Sequence, residues 1–348
     1  MRAAVVGIGR VARQHLIALE REAGADIVAV CDLSRAAAEA AAERHHAERW
    51  FTDHRTMLAE ARPEVVHVTS PPQSHVEVTL DALAAGAHVV VEKPAATTYA
   101  DVRAVVDAAV KADRMLVEDY NYLFNPPVRR LLHMVETEGA DVTHVDVAVG
   151  LDVLSPGSMW ADPNLPYHGL ALRGGAVGDF LPHLASLAHA FVGAHRAVST
   201  TWAKRSPAGT LPHDEFRALV EGERATASLC FSAHTKPDVF SLRVWSTAFR
   251  AEARLFESRL TVERLRPVPR PLMPVVNGFA EGWEAGSAAV RGLWTKLSGG
   301  PGSYAGLEEL LRRTYRSLAT GDPVPVTTDQ MLEVHGMIEA ITDQAPAQ

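Results

Sequence analysis

Along the first third of the chain, short apolar runs alternate with longer segments of helical spacing. The runs cover residues 3–8, 27–31, 65–69, 88–91 and 115–117, with a brief one at 50–51. They are rich in Val, as expected of strands covered on both faces. Between them, residues 11–22, 35–44, 75–85 and 99–112 place apolar side chains at the helix period. Strand and helix in alternation predict a parallel sheet joined by right-handed crossovers. Gly24 and Gly86 fall where helices should stop.

After residue 125 the pattern changes. Residues 126–138 read as one more helix, and Val145, Val147 and Val149 then alternate with polar or small residues, as in a half-buried strand. Runs at 198–203, 216–220, 225–231, 240–245, 249–255 and 260–265 follow at short intervals and predict an antiparallel sheet with one solvated face. A helix at 178–191 interrupts them, and two more close the chain at 304–319 and 328–341. Pro325 precedes the last, with Thr327 or Thr328 as its N-cap. The proline-rich stretch 266–274 reads as a loop. The expected fold is thus an α/β Rossmann domain over 1–123, followed by an α+β domain over 124–348 with an open, mainly antiparallel sheet. The last helix is expected to pack back on the first domain.

Composition narrows the function classes. The 348 residues are 47% hydrophobic and 22% charged, which suits a globular protein with a full core. A net charge of −8 argues against a nucleic-acid partner, which needs a basic face. No apolar run reaches membrane-spanning length. No secretory leader pattern opens the chain, so the expected address is the cytoplasm. Cys31 and Cys230 are the only cysteines, too few for a disulfide framework, and Cys31 reads as a reduced core residue.

The first chemistry-bearing motif is Gly7-Ile8-Gly9-Arg10-Val11-Ala12, a G-x-G-x-x-A sequence between a strand and a helix. Gly7 permits the tight turn, Gly9 lets a pyrophosphate approach the backbone, and Ala12 allows close helix–strand packing. The helix N-terminus favours an anion. Asp32 ends the second strand, where its carboxylate would accept from the ribose hydroxyls of NAD and repel the 2′-phosphate of NADP. Arg35 leaves NADP open. A methyltransferase shares a glycine-rich first turn and an acid after the second strand, so the choice rests on later motifs.

Those motifs are Ser70-Pro71-Pro72 followed by His75, then Glu92-Lys93-Pro94, at the ends of the third and fourth of those runs. Parallel strands place them on the same sheet edge as the glycine turn. With the two-domain layout, the chain resembles the Gfo/Idh/MocA oxidoreductase family, which includes glucose–fructose oxidoreductase and inositol dehydrogenases. The resemblance implies that Lys93 sits beside the nicotinamide and the substrate oxygen. It also implies that Ser70 and Pro71 line the cofactor site, with His75 and Glu92 nearby. A glycine run, Gly174-Gly175-Ala176-Val177-Gly178, then leads into Asp179 and His183, one helical turn apart. In the family this His exchanges the proton of the reacting hydroxyl and the Asp orients substrate, and a neutral imidazole suits such work.

The resemblance thus implies NAD(P)-dependent hydride transfer between nicotinamide and a secondary alcohol or ketone of a sugar, cyclitol or related small polar metabolite. No metal is required. It further implies a homodimer or homotetramer through the C-terminal sheet. The rival is a non-catalytic dinucleotide sensor or scaffold, which would not need Lys93, Asp179 and His183 together. Two positions depart from the family pattern. Leu181 replaces a small residue and would narrow the pocket, with Pro182 shifting the helix start. Leu123 stands where an Arg is common, which disfavours an anionic substrate. The adjacent His45 and His46 cannot face one ligand on a helix. Trp160, Asp162, His168 and Arg173 fall in a loop that could cover a substrate.

Overall fold

The structure is a computed structural model. It describes residues 1–21, 24–153, 155, 171–206, 211–265, 267–297 and 304–346. The chain divides into two compact units: Met1–Asn121 with Leu307–His335, and Tyr122–Gly306 with Gly336–Gln348. Residues 307–335, inside the 124–348 span, thus group with the first unit, and they include the first half of the last helix.

The first unit alternates β1 (Arg2–Val6), α1 (Ala12–Arg21), β2 (Asp26–Cys31), α2 (Arg35–Arg44), β3 (Arg49–Phe51), α3 (His54–Ala61), β4 (Val65–Val68), α4 (Pro72–Ala84), β5 (His88–Val91), α5 (Tyr99–Ala112) and β6 (Leu116–Glu118). The sheet order is β3-β2-β1-β4-β5-β6, and every pair is parallel. The order reverses direction between β1 and β4, the switch point where such sheets take ligands at strand C-termini. Val65, Val66 and Val68 are fully buried, each contributing roughly 1.5–3 kcal/mol of burial. α3 has no strong apolar stripe; Asp53 caps it, accepting the Thr56 N–H at 2.8 Å.

The second unit holds α6 (Pro126–Thr137), β7 (Val142–Asp152), α7 (Ala176–Val192), then β8 (His195–Ala203), β9 (Glu215–Gly222), β10 (Thr226–Ser232), β11 (His234–Ser246), β12 (Phe249–Arg254) and β13 (Arg259–Arg264). The sheet order is β13-β12-β11-β7-β10-β9-β8. Only the β7–β10 pair is parallel, so the sheet is mixed and mostly antiparallel. α7 lies against β7, β9 and β10.

α8 (Met273–Leu297) is a 25-residue helix where a loop was expected to end. Pro274 lies in its first turn, where its missing N–H costs nothing, and four glycines, Gly278, Gly282, Gly286 and Gly292, obscure its period in the sequence. The chain closes with α9 (Ala305–Thr320) and α10 (Thr328–Thr342). Thr327 caps α10 by accepting the Gln330 N–H at 3.1 Å.

Candidate functional site

In the first unit the candidate residues stand at strand ends. Gly7 follows β1 with φ +89°, a region disfavoured for side chains, and a Cβ there would lie 2.3 Å from Ser70 Cα. The glycine therefore lets the turns after β1 and β4 touch. Thr69 fastens them, its hydroxyl donating to the Gly7 carbonyl at 2.6 Å. At Gly9, by contrast, nothing lies within 4 Å of a Cβ position. The space a side chain would fill is open, as a pyrophosphate against the backbone requires. Arg10 beside it is exposed, and Val11 leads into α1.

Asp32 is half-buried after β2. Its Oδ2 accepts the Ile8 N–H and its Oδ1 the Ser34 N–H, both at 2.7 Å. Each carboxylate oxygen keeps a second acceptor site, so the group is oriented yet able to take a ribose hydroxyl. Leu33, next along, is 94% exposed, an apolar surface beside Asp32 that no sequence motif marks. The Arg35 guanidinium lies over the Trp50 ring, 5.2 Å from its centroid. Cys31 is buried, and burial first, then Asp53 and Asp32, push its thiol up to about 12. It is an inert core residue.

Ser70 and Pro71 form the turn into α4, with Ser74 donating to the Ser70 hydroxyl at 2.7 Å. His75 is 1% exposed. Its Nδ1 lies 2.8 Å from the Pro94 carbonyl oxygen and its Nε2 2.6 Å from that of Ser70. The ring thus bridges the Ser-Pro and Glu-Lys-Pro turns. It shapes both.

The Glu92-Lys93-Pro94 turn follows β5, with Lys93 half-buried and the Lys93–Pro94 bond cis. Buried polar groups hold it from several sides. Glu92 Oε1 faces His15 Nε2 of α1 at 3.1 Å. Just past the turn, the Ala95 N–H donates to Glu118 Oε1 at 3.0 Å. Glu118 Oε2 also accepts from the Tyr120 hydroxyl and from His335 Nε2 of α10, both at 2.8 Å. His15, Glu118, Tyr120 and His335 belong to no motif. The signal that could have found them is a polar residue on an otherwise buried face, which needs a partner.

In the second unit, Gly174 and Gly175 have φ of +82° and +60° and lead into α7. A Cβ on Gly178 would lie 2.2 Å from the Arg173 carbonyl oxygen, so the glycine run closes this helix entry tightly. α7 begins at Ala176 and runs through Pro182. Asp179 therefore sits in the first turn, and Pro182 does not delay the start. Leu181 is fully buried in the core, so it does not narrow a pocket as expected. Asp179 is half-buried; His183 is buried and edge-on to Tyr122, with centroids 4.8 Å apart. Phe180 and Phe240 flank the same imidazole. Leu123 is also buried. Arg173 pairs with Asp343 at 2.5 Å, while Trp160, Asp162 and His168 lie outside the described residues.

Residues 1–120 match the family model described as an oxidoreductase family with an NAD-binding Rossmann fold, Gfo/Idh/MocA. The chain is 36% identical to the D-glucoside 3-dehydrogenase of Escherichia coli K12 over 136 residues, 39% of each protein. It is 33% identical to the inositol 2-dehydrogenase of Salmonella typhimurium LT2 over 120 residues, 34% of this chain and 36% of that one. The matches thus span less than half the length of these curated relatives. The fold extends further. The WlbA dehydrogenase of Bordetella pertussis, solved with NADH and UDP-GlcNAcA, superposes with a TM-score of 0.79 at 20% identity, over 99% of this chain and 95% of that one. The glycine turn, the carboxylate after β2 and the Lys93 turn are therefore parts of an NAD-binding domain, and over residues 1–120 the chain matches the NAD-binding Rossmann fold of the Gfo/Idh/MocA oxidoreductase family.

Proposed function

We propose that the protein is an NAD-dependent dehydrogenase, acting on a secondary alcohol or ketone of a sugar, cyclitol or similar polar metabolite. The observation that carries this reading is the Lys93 turn. It stands at the C-terminal end of a parallel strand in the NAD-binding unit, and His75 joins it to the turn that touches Gly7. A dinucleotide site alone would not need a lysine held there. The glucoside and inositol dehydrogenases among the relatives support the substrate class.

Bound nicotinamide supplies the hydride chemistry, and the chain supplies the rest. Gly7, Ile8, Gly9, Arg10 and Val11 would hold the pyrophosphate, with the N-terminus of α1 favouring its charge. Asp32 would accept from the ribose hydroxyls, and Leu33 would cover the adenine. The Lys93 ammonium would donate to the substrate oxygen as negative charge develops on it, an interaction strongest in the transition state. His183 would move the hydroxyl proton at a ring nitrogen, and Asp179 would orient the substrate.

Among the described residues no helix is long and apolar enough to cross a membrane. The proposed setting is the cytoplasm, as a homodimer or homotetramer through the β8–β13 face, on which Leu219 is 55% exposed. Light scattering reads the assembly. The activity is tested by a panel of sugars, cyclitols and their keto forms, following NADH absorbance. Turnover of one class supports the reading, and NADH binding without turnover of any would favour a sensor.

A further inference from the structure

Two carboxyl groups meet at the base of the Lys93 turn. Glu92 is 7% and Asp119 1% exposed. Their carboxylate oxygens lie within 4.8 Å of one another, and both face the same His15 nitrogen, at 3.1 and 3.8 Å. Two ionised carboxylates this close in a buried site repel, and a proton on one of them removes the repulsion.

The surroundings decide where the proton stays. Glu92 Oε1 faces His15 Nε2 at 3.1 Å, and its Oε2 accepts the Lys93 backbone N–H at 3.3 Å. Burial would raise Glu92, but the His15 hydrogen bond and charge, the Asp119 bond and the Lys93 ammonium together lower it to about 2. Asp119 receives less. Its Oδ2 is 3.8 Å from His15 Nε2, and its Oδ1 has no hydrogen-bond partner. Burial, then Glu92, push it well above the usual carboxylate range, against the opposing pull of Lys93 and the Asn121 N–H.

His15 is itself fixed from behind. Its Nδ1 lies 2.9 Å from His67 Nδ1, and His67 Nε2 lies 2.9 Å from the Tyr315 hydroxyl of α9. All three side chains are buried. The array runs from the last helices of the unit to the carboxyl pair.

We propose that Asp119 is a positioning residue for Lys93: it keeps its proton at neutral pH and donates it to Glu92, so that one negative charge, fixed by His15, lies beside the ammonium. Two charges would repel within the pair, and with none the base of the turn would carry no negative charge beside Lys93. This rests on the reading of Lys93 given above, yet its tests need no substrate.

The first test is the full-length protein carrying 13C at its Asp and Glu side-chain carboxyls, titrated by NMR. One aspartate should remain protonated at neutral pH. In Lys93→Met the titration of the pair should move to higher pH, because the ammonium lowers both groups. If every aspartate is ionised at neutral pH, or if Lys93→Met leaves the pair unmoved, the inference is overturned. The second test is Asp119→Asn, which keeps the shape and an N–H donor toward Glu92. Folded wild type holds a proton that the unfolded chain releases above about pH 4. Its stability must therefore fall as pH rises past that point, by about tenfold in the folding equilibrium per unit. Asp119→Asn lacks that loss, so the stability gap should widen in its favour from pH 5 toward pH 7. A gap that stays constant contradicts the proposal. If the variant does not fold, the wild-type titration decides alone. An enzyme inactive on every sugar would sink the dehydrogenase reading and leave this inference standing.

Discussion

The described contacts around Lys93 and around His183 differ in kind. Around Lys93 the supports are polar and fully buried: His15 on Glu92, His75 on the Pro94 carbonyl, and Glu118 on the Ala95 N–H. Around His183 they are aromatic, with Tyr122 edge-on and Phe180 and Phe240 beside it. Hydrogen bonds fix direction, and each one lost leaves a buried group unsatisfied. Ring packing fixes the position and plane of an imidazole through contact area. The contrast fits the proposed division of labour, in which Lys93 keeps its charge in place and His183 changes its own.

The comparison can be broken from either side. The largest expected effect is at the imidazole: His183→Ala should lower turnover by about 10²–10⁴, the usual contribution of a general acid–base, with NADH affinity unchanged. Wild-type turnover in that variant would assign the proton to another group. Next is the glycine contact. Gly7→Ala places a side chain at φ +89° against Ser70, so it should cost at least about 1–3 kcal/mol in strain alone. It should also abolish NADH binding; calorimetry checks both. Smaller is the cofactor preference set by Asp32. NADH should bind at least about tenfold more tightly than NADPH, equivalent to 1.4 kcal/mol of repulsion at the 2′-phosphate. Tighter NADPH in a fluorescence titration would reverse that assignment. The smallest effect is remote from both supports: Asp53→Ala removes the α3 cap for about 1 kcal/mol of stability, with turnover retained.

How much was legible follows from the same contrast. The helices at 35–44 and 99–112 and the strand at 88–91 appear at their expected bounds, because apolar period and capping residues are local. The Gly7 turn, Asp32 and the Lys93 turn were legible for a related reason: a short backbone geometry demands particular residues in a row. His15, Asp119, Glu118 and His335 were not. Their partners lie tens to hundreds of positions away, and only the folded sheet brings them together. α3 and α8 escaped notice because capping in one and glycines in the other carry what apolar period does elsewhere. Leu181 shows the converse error, a residue judged by its departure from the family pattern that the helix turns into the core.

In the proposed reaction Lys93 acts on the substrate rather than holding the dinucleotide. The direct measurement is turnover beside NADH affinity for Lys93→Met and Lys93→Arg, on the substrate that the absorbance panel identifies. Removing one oxyanion donor typically costs about 10²–10³ in rate, so Lys93→Met should lose at least that lower figure. Lys93→Arg should fail too, since a planar fork does not replace a compact charge. In both, NADH affinity should stay near wild type. A parallel loss of cofactor binding and turnover would contradict the account and leave Lys93 as a dinucleotide ligand only.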